Sequence, residues 1–281
     1  MSGRRVLITG AGGQLGRAVG HAAPDGVTVV AKTRADLDIA APEAGQAIAD
    51  IAPDMIVNCA AFNDVDGAER DDAPAIAVNA NAVERLAQTG IPLVHISTDY
   101  VFDGNASRPI PTDAEPAPIN AYGRSKLAGE QAALAAGALV IRTAWLYSGG
   151  SGDFVGKVLA MAGTGDPMRM VCDETGTPTR ADSLARAIWA LVDAGASGLF
   201  HYTDAGLASR YDFAVAIVEE ARALGLIDPV PDIAPIPAST FESAAARPAY
   251  SVLDCHACWA ITGTPGHWRT NLRAALSEFS E

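Results

Sequence analysis

The sequence has few basic residues and very few lysines. Its three lysines are Lys32, Lys126 and Lys157, and its 20 lysines and arginines face 33 aspartates and glutamates, a formal net charge of −13. A general nucleic-acid-binding protein needs a basic face to neutralise phosphates. We therefore predict no nucleic-acid partner, and we expect any anionic ligand to be bound by local arginines and backbone amides.

Cysteines and long apolar runs are also scarce. The four cysteines fit reduced, mostly structural thiols better than a disulfide framework. Cys255 and Cys258 have the spacing of zinc ligands, but no second Cys/His pair completes a tetrahedral site, so no metal is predicted there. No stretch approaches about 18 uninterrupted apolar residues, and no signal-peptide pattern is found. We expect a cytoplasmic protein with no membrane partner.

The sequence does contain an alternation of short apolar strands with helical segments. Hydrophobic residues make up 49% of its 281 residues, enough for a large packed core. Strand-like runs begin near residues 6, 27, 55, 93 and 138, and a single helix is predicted over 73–89. Because helical segments separate them, the order predicts an α/β fold with a doubly wound parallel (Rossmann) sheet.

A smaller C-terminal substrate lobe is predicted after this sheet. The Gly/Ser cluster at 148–152 marks a change of composition. We therefore predict a dinucleotide-binding Rossmann domain over 1–147 and a mainly substrate-binding lobe over 148–281, with about 181–203 returning to the Rossmann core. The elements predicted after the cluster are helices near 181–194, 209–224 and 267–279 and strands near 168–171 and 198–202.

A glycine-rich turn joins the first strand to the first helix. Gly10, Gly13 and Gly16 follow the spacing G-x-x-G-x-x-G. Glycine lets the backbone turn tightly and approach a pyrophosphate, which then lies at the positive end of the helix. Such a turn can also be a tight turn and nothing more, but its place between a strand and a helix predicts a dinucleotide site.

The tip of the second strand predicts which dinucleotide is bound. It carries Lys32 and Arg34, and no acid occurs before Asp36. An acid there would bind a ribose 2′-hydroxyl, whereas a basic residue accommodates a 2′-phosphate. We therefore predict NADPH, with NADH as the alternative. The other predicted cofactor-binding residues are Gln14, Leu15, Asp38, Ile39, Ala60, Ala61, Asn79, Tyr122 and Lys126.

Tyr122 and Lys126 are four residues apart in a predicted helix, so they share one face and can reach the same substrate atom. A free tyrosine keeps its proton to about pH 10, and a neighbouring ammonium favours the phenolate and lowers that pKa. Thr98, at the end of a buried strand, is expected to point its hydroxyl at the same oxygen. The alternative interpretation is a half-buried tyrosine beside a solvated lysine.

Five phrases of the sequence carry a resemblance to a known family. They are Gly10-x-x-Gly13-x-x-Gly16, Ser97-Thr98-Asp99-Tyr100-Val101-Phe102, Tyr122-Gly123-x-x-Lys126, Arg142-Thr143-x-Trp145 and Arg247-Pro248. The chain resembles the dTDP-4-dehydrorhamnose reductases, a branch of the extended short-chain dehydrogenase/reductases. The resemblance implies that a hydride from the nicotinamide reduces the C4 ketone of dTDP-4-dehydro-L-rhamnose to give dTDP-L-rhamnose. It also implies that Thr98, Tyr122 and Lys126 are catalytic.

The same resemblance implies a sugar-nucleotide site. Its predicted residues are Asn63, Val65, Thr98, Tyr100, Tyr122, Trp145 and Arg247. Arg247 is assigned to the diphosphate because a guanidinium suits bidentate oxyanion binding. Some relatives bind magnesium through a glutamate just after the glycine turn, where this chain has Arg17-Ala18, so no metal is predicted. The predicted assembly is a monomer or a homodimer.

Alternative functions share this scaffold. A 4,6-dehydratase would carry Asp-Glu where this chain has Asp99-Tyr100, and tyrosine cannot replace the carboxylate that removes the C5 proton. A 4-epimerase keeps NAD bound, which the basic strand tip disfavours. A non-catalytic regulatory subunit is disfavoured because the three catalytic residue types are all present. Another sugar-nucleotide reductase stays open, since Asn63-Asp64 and Ser251-Val252-Leu253-Asp254 depart from the family pattern.

Overall fold

The computed structural model describes residues 3–150 and 152–278. Its strands are β1 (Arg4–Thr9), β2 (Val27–Lys32), β3 (Met55–Asn58), β4 (Leu93–Thr98), β5 (Leu139–Thr143), β6 (Leu146–Tyr147), β7 (Met168–Val171), β8 (Thr175–Gly176), β9 (Thr179–Arg180), β10 (Gly198–His201), β11 (Ala208–Ser209) and β12 (Ile233–Ile236). Its helices are α1 (Gln14–His21), α2 (Ala44–Ile51), α3 (Val65–Arg70), α4 (Ala73–Ile76), α5 (Ala82–Gln88), α6 (Ala121–Ala135), α7 (Phe154–Ala162), α8 (Ala181–Asp193), α9 (Arg210–Ala223), α10 (His256–Thr262) and α11 (Trp268–Ser277).

Six strands form one parallel sheet in the order β10-β5-β4-β3-β1-β2. The chain passes from β1 to β2 on one side and then returns to β3 on the other. The strand order therefore reverses between β1 and β3, where open α/β sheets bind ligands beyond the carboxyl ends of their strands. The prediction of a doubly wound parallel sheet is confirmed.

The sheet is apolar on both faces because a helix layer covers each one. Val6 and Ile8 of β1 pack with Leu184 and Ile188 of α8 on one face. Leu7, between them, points to the other face, where α2, α5 and α6 lie. Such strands read as continuous hydrophobic runs, which is why the sequence pattern located them.

The single helix expected over 73–89 is interrupted. A π-helical turn, Ala77–Asn81, separates α4 from α5. Helix α6 packs so closely here that a Cβ at Gly129 would overlap the Asn79 carbonyl oxygen. A π turn is a local change of hydrogen-bond pattern at unremarkable side chains, so periodicity alone did not reveal it.

The C-terminal part has its own core, centred on Tyr147, Phe213 and Trp268. Helices α7, α9 and α11 surround it, and three two-stranded sheets lie nearby. Strand β10 instead extends the main sheet beside β5, and α8 packs on α1. The division into 1–147 and 148–281 stays a prediction. Residues 1, 2, 151 and 279–281, including the expected end of the last helix, lie outside the described residues.

Candidate active site

The turn between β1 and α1 is shaped so that a ligand can approach its backbone. Gly10 has a φ of +64°, and a Cβ there would lie 2.6 Å from the backbone nitrogen of Ala60. A Cβ at Gly16 would overlap the carbonyl oxygen of Gly10. Helix α1 begins after Gly13, and no side chain caps its first turn. The amides of that turn are thus suited to an anion such as a pyrophosphate.

A cavity of about 290 Å³, called here the smaller cavity, lies beside this turn. It is lined by seven of the predicted cofactor residues: Gly10, Gly13, Arg34, Asp38, Ile39, Ala60 and Ala61. The Arg34 guanidinium pairs with the Asp38 carboxylate at 3.5 Å, yet 83% of the Arg34 side chain is exposed. A cation at the cavity rim, together with a glycine turn that a Cβ would fill, fits a dinucleotide.

Three predicted cofactor residues lie outside the lining of the smaller cavity and of the larger one described next: Gly16, Lys32 and Asn79. Gly16 instead allows the close packing of α1. The Asn79 side chain accepts from the Phe62 amide at 2.9 Å and donates to the Ser125 hydroxyl at 3.0 Å. Asn79 therefore holds the loop after β3 against α6, and a direct contact with cofactor stays a prediction.

The larger cavity has a volume of about 470 Å³. Thr98, Tyr122 and Lys126 all line it, and so do Gln14 and Leu15. The two cavities share five lining residues: Gly13, Cys59, Ala60, Ala61 and Asn63. The predicted catalytic residues are thus brought together in a cavity whose wall also includes Gly13 of the glycine turn.

Helix α6 fixes the tyrosine and the lysine. Asn120 caps its first turn by accepting from the Gly123 amide at 2.7 Å, and its amide group donates to the Ala246 carbonyl at 2.8 Å. The Lys126 ammonium donates to the Ile96 carbonyl of β4 at 2.6 Å. The lysine is therefore buried and anchored to the sheet, which contradicts the alternative interpretation of a solvated lysine.

The expected lowering of the Tyr122 pKa is wrong for this structure. Burial raises the pKa of Tyr122 above its ordinary value, and a hydrogen bond with Thr98 acts in the opposite direction. Burial also lowers the pKa of Lys126 to about 8, although the Glu130 carboxylate acts against that shift. Spacing on a helix placed both groups in one site, but it carried no information about their loss of hydration.

Asp99, next to Thr98, is a site residue that sequence reasoning left without a role. It is 2% exposed and lines the larger cavity. Its Oδ1 accepts from the Thr98 hydroxyl at 3.1 Å, whereas Oδ2 is buried and has no hydrogen-bond partner among the described residues. Burial raises the pKa of Asp99 to about 6, against the hydrogen bond from Thr98 and the charge of Arg210. The only sequence signal was its place in the Ser-Thr-Asp phrase.

Trp145 lines the larger cavity in an unusual backbone conformation, with a φ of +45°. The guanidinium of Arg210 lies 3.6 Å from the centre of its ring. A Cβ at Gly176 would lie 2.6 Å from the same ring. Glycine at 176 and arginine at 210 therefore fix the ring from two sides. Neither residue was singled out from the sequence.

Three predicted substrate residues do not line either cavity: Val65, Tyr100 and Arg247. Tyr100 packs edge-on against Tyr122, with ring centres 5.8 Å apart. The Arg247 guanidinium is bound to the Asp66 carboxylate at 2.8 Å. Although burial acts against it, hydrogen bonds from Arg247, Ala245 and Ser243 hold the pKa of Asp66 at about 2. Asn63, by contrast, lines both cavities.

The described residues hold no cluster of three or more His, Cys, Asp or Glu side chains arranged for a metal ion. The same residues include no helix long and apolar enough to span a membrane.

Comparison with known proteins decides the family. A family model described as "RmlD substrate binding domain" matches residues 4–281. A dTDP-4-dehydrorhamnose reductase of Mycobacterium tuberculosis (strain ATCC 25618 / H37Rv) is 44% identical over 99% of this chain and 94% of its own length. The chain belongs to the RmlD family. This membership confirms the resemblance found in the five phrases of the sequence.

Two further RmlD relatives show how wide the likeness is. A Streptomyces niveus protein named dTDP-4-keto-6-deoxy-D-glucose reductase is 42% identical over 97% of this chain and 96% of its own. The crystal structure of dTDP-4-dehydrorhamnose reductase from Bacillus anthracis in complex with NADP has a TM-score of 0.91 and 31% identity, and the match covers 99% of this chain and 100% of that one. The RmlD fold therefore extends through both parts of the molecule.

Proposed function

We propose that this chain is a reductase that converts the C4 ketone of dTDP-4-dehydro-L-rhamnose to the alcohol of dTDP-L-rhamnose, with NADPH as the reductant. The observation that carries this proposal is the presence of Thr98, Tyr122 and Lys126 on the wall of one cavity that continues to the glycine turn. The name of the Mycobacterium tuberculosis relative and the NADP in the Bacillus anthracis structure support the same reaction.

The residues that would hold the dinucleotide lie at the smaller cavity and the turn. The amides after Gly13 would bind the pyrophosphate, and Arg34 would meet a 2′-phosphate. When bound, the reduced nicotinamide supplies a hydride to the ketone carbon. The preference for NADPH over NADH depends on Arg34, because the expected basic partner Lys32 lies outside the cavity lining.

Tyr122 is the proton donor in this proposal. Its raised pKa makes the phenol a weaker acid than a free tyrosine, so it keeps its proton at neutral pH and gives it up only to the strongly basic alkoxide that forms at the ketone oxygen. Lys126, with a pKa of about 8, is mostly cationic at pH 7. Its positive charge stabilises the phenolate that forms after the transfer. The hydroxyl of Thr98 now donates to Asp99, and by turning from that carboxylate it would be a second donor for the same oxygen as its negative charge builds.

A panel of ketone substrates tests the proposal. The assay follows NADPH oxidation with dTDP-4-dehydro-L-rhamnose and with dTDP-4-dehydro-6-deoxy-D-glucose, and repeats each with NADH. We expect stoichiometric NADPH consumption with the first sugar. Turnover of the second alone would favour the second candidate function, which rests on the 42% identity to the Streptomyces niveus reductase. No oxidation with any sugar would contradict the reductase proposal.

The same assay separates the alternatives that share the scaffold. An epimerase would form product without net NADPH consumption, and a regulatory subunit would form none.

We further propose that the protein works in the cytoplasm, as a monomer or a homodimer, on a sugar nucleotide rather than on nucleic acid. The four free thiols, Cys59, Cys172, Cys255 and Cys258, support a reducing compartment.

A further inference from the structure

Arg210, which stacks on the cavity-lining Trp145, and Arg247 both lie outside the lining of the larger cavity, and they differ in what they already bind. Arg247, predicted for the diphosphate, pairs with Asp66 and also donates to the Ser243 hydroxyl and the Ala245 carbonyl. The guanidinium of Arg210 has no hydrogen bond to, and no ion pair within 4.0 Å of, any group in residues 3–150 and 152–278. Of the two, Arg210 is thus the one whose donors are free for a ligand.

The position of Arg210 is set by aromatic rings. Its guanidinium lies 3.6 Å from the ring centre of Trp145 and 5.2 Å from that of Phe154. The residue begins helix α9, whose start is fixed by a capping box between Ser209 and Asp212. Stacking holds the guanidinium plane while its edge N–H groups stay available, an arrangement that suits planar oxyanion recognition.

The charge of Arg210 acts on the substrate end of the site. It opposes the burial-driven rise in the pKa values of Asp99, Tyr100 and Glu174. Arg247 acts on the last two of these groups as well. Both guanidiniums therefore lie close enough to Tyr100 and Glu174 to act on their pKa values, in a chain whose formal charge of −13 would otherwise repel an anion.

We propose that Arg210 binds the diphosphate of the sugar nucleotide, with Trp145 holding its guanidinium in place. The assignment rests on the proposed function, because it takes a nucleoside diphosphate as the ligand. It makes Arg210, on a helix that the sequence motifs do not include, a determinant of substrate affinity. Arg247 would join it only after exchanging its contact with Asp66.

A purely structural role for Arg210 predicts a different result. If the arginine only supports Trp145, its replacement would disturb the cavity wall for every ligand, with or without phosphates. If it binds the diphosphate, the loss would grow with the number of phosphates on the ligand. Comparing dTDP, dTMP and thymidine separates these two roles.

The experiment measures dissociation constants of the three ligands by calorimetry for the wild type and for Arg210→Met, which keeps side-chain length but removes the charge. We expect dTDP to bind about 10- to 100-fold more weakly to the variant, in line with the loss of hydrogen bonds to a charged group. Thymidine binding should change less than about twofold. Arg222→Met, at an exposed position of the same helix, is the matched control and should leave all three constants unchanged.

Unchanged dTDP binding, or an equal loss for thymidine, would overturn the proposal. So would a wild-type protein that does not bind dTDP. If Arg210→Met does not fold, Arg210→Lys is measured instead, and a loss that rises from thymidine to dTDP is again required. Failure of the reductase proposal would look different, because the wild type would bind dTDP and yet reduce none of the keto sugars.

Discussion

The proposed cofactor end of the site, at the smaller cavity, and its proposed substrate end, around Trp145, are built in different ways. At the cofactor end, glycines and small residues that follow β1 and β3 let the backbone itself form the surface, as Gly10 does beside Ala60. At the substrate end, long side chains from distant segments form the surface. Arg210 packs on Trp145, and Arg247 pairs with Asp66 across 181 residues.

This difference explains what each end tolerates. A backbone surface has little room to adjust, so adding one carbon at the turn forces the main chain to move. A surface made of side chains can change its ligand by exchanging residues and leaving the scaffold intact. We therefore expect changes at the cofactor end to affect folding and dinucleotide binding, and changes at the substrate end to affect sugar-nucleotide affinity.

The largest expected effect is at Tyr122, where the two ends meet. Tyr122→Phe removes the proposed proton donor and leaves the ring that packs on Tyr100. We expect kcat for NADPH oxidation with the keto sugar to fall about 10²- to 10⁴-fold, the usual contribution of general acid catalysis. The dissociation constants of NADPH and dTDP should stay within about twofold of the wild-type values, because the binding of neither ligand depends on the Tyr122 hydroxyl proton. A variant that keeps wild-type kcat would remove Tyr122 from the chemistry.

The next largest effect tests the backbone surface of the cofactor end. Gly10→Ala places a Cβ 2.6 Å from the Ala60 nitrogen at a φ of +64°. We expect a loss of at least about 2 kcal/mol in the free energy of unfolding, together with weaker NADPH binding. Urea unfolding and a fluorescence titration with NADPH measure the two effects.

Gly45→Ala is the matched control for this substitution. Gly45 lies in helix α2, where an added Cβ meets nothing within 4 Å. Because alanine is the better helix former, the control should gain about 0.5–1 kcal/mol. If both variants had the same free energy of unfolding and the same NADPH affinity, the close approach of Ala60 would not explain why position 10 is a glycine.

The contrast between the two ends also explains how much of the molecule was predictable. The strands of the main sheet could be located because both faces are buried, and the turn because glycine spacing reports a local backbone requirement. The π turn at Ala77–Asn81 was missed, since it depends on how α6 packs against it. Local sequence patterns therefore predict most of the elements of the Rossmann part of the fold.

Long-range pairings were the part that sequence could not supply. Arg247 was assigned to the diphosphate from its residue type, and only the folded chain brings Asp66 to it. The position of Arg210 over Trp145 joins segments 65 residues apart without any shared motif. The Tyr122 pKa was predicted with the wrong sign because burial, which depends on the whole fold, raises it and outweighs the hydrogen bond with Thr98.

A pH dependence of the free energy of unfolding is expected from the buried Asp99 carboxyl at the substrate end. The folded-state pKa of Asp99, about 6, is above its value of 3.8 when unfolded. The folded protein therefore binds the proton more tightly, and this group lowers the free energy of unfolding as pH rises from about 4 to 6. Asp99→Asn removes the ionisation. Its free energy of unfolding should therefore rise by about 2–3 kcal/mol relative to that of the wild type between pH 4 and pH 6.

Urea unfolding at pH 4, 5, 6 and 7 measures this difference between the two proteins. Asp38→Asn is the control, because Asp38 is the partly exposed acid that pairs with Arg34 at the cofactor end. A stability difference between Asp99→Asn and wild type that does not change with pH would show that Asp99 titrates normally.

The smallest expected effect is the counterpart of the Gly10 substitution at the substrate end. Gly176→Ala places a Cβ 2.6 Å from the ring of Trp145, a side chain that can shift where the Ala60 backbone cannot. We expect the ring and its stacked Arg210 to move, which raises KM for the keto sugar about tenfold, on the scale of one lost packing contact in a pocket. The free energy of unfolding should fall by less than about 1.5 kcal/mol, and the affinity for NADPH should not change. Steady-state kinetics with both substrates varied measures the two KM values separately. A rise in KM for NADPH alone would mean that Trp145 contacts the cofactor and not the sugar nucleotide. The contrast between a cofactor end formed by backbone and a substrate end formed by side chains would then be wrong.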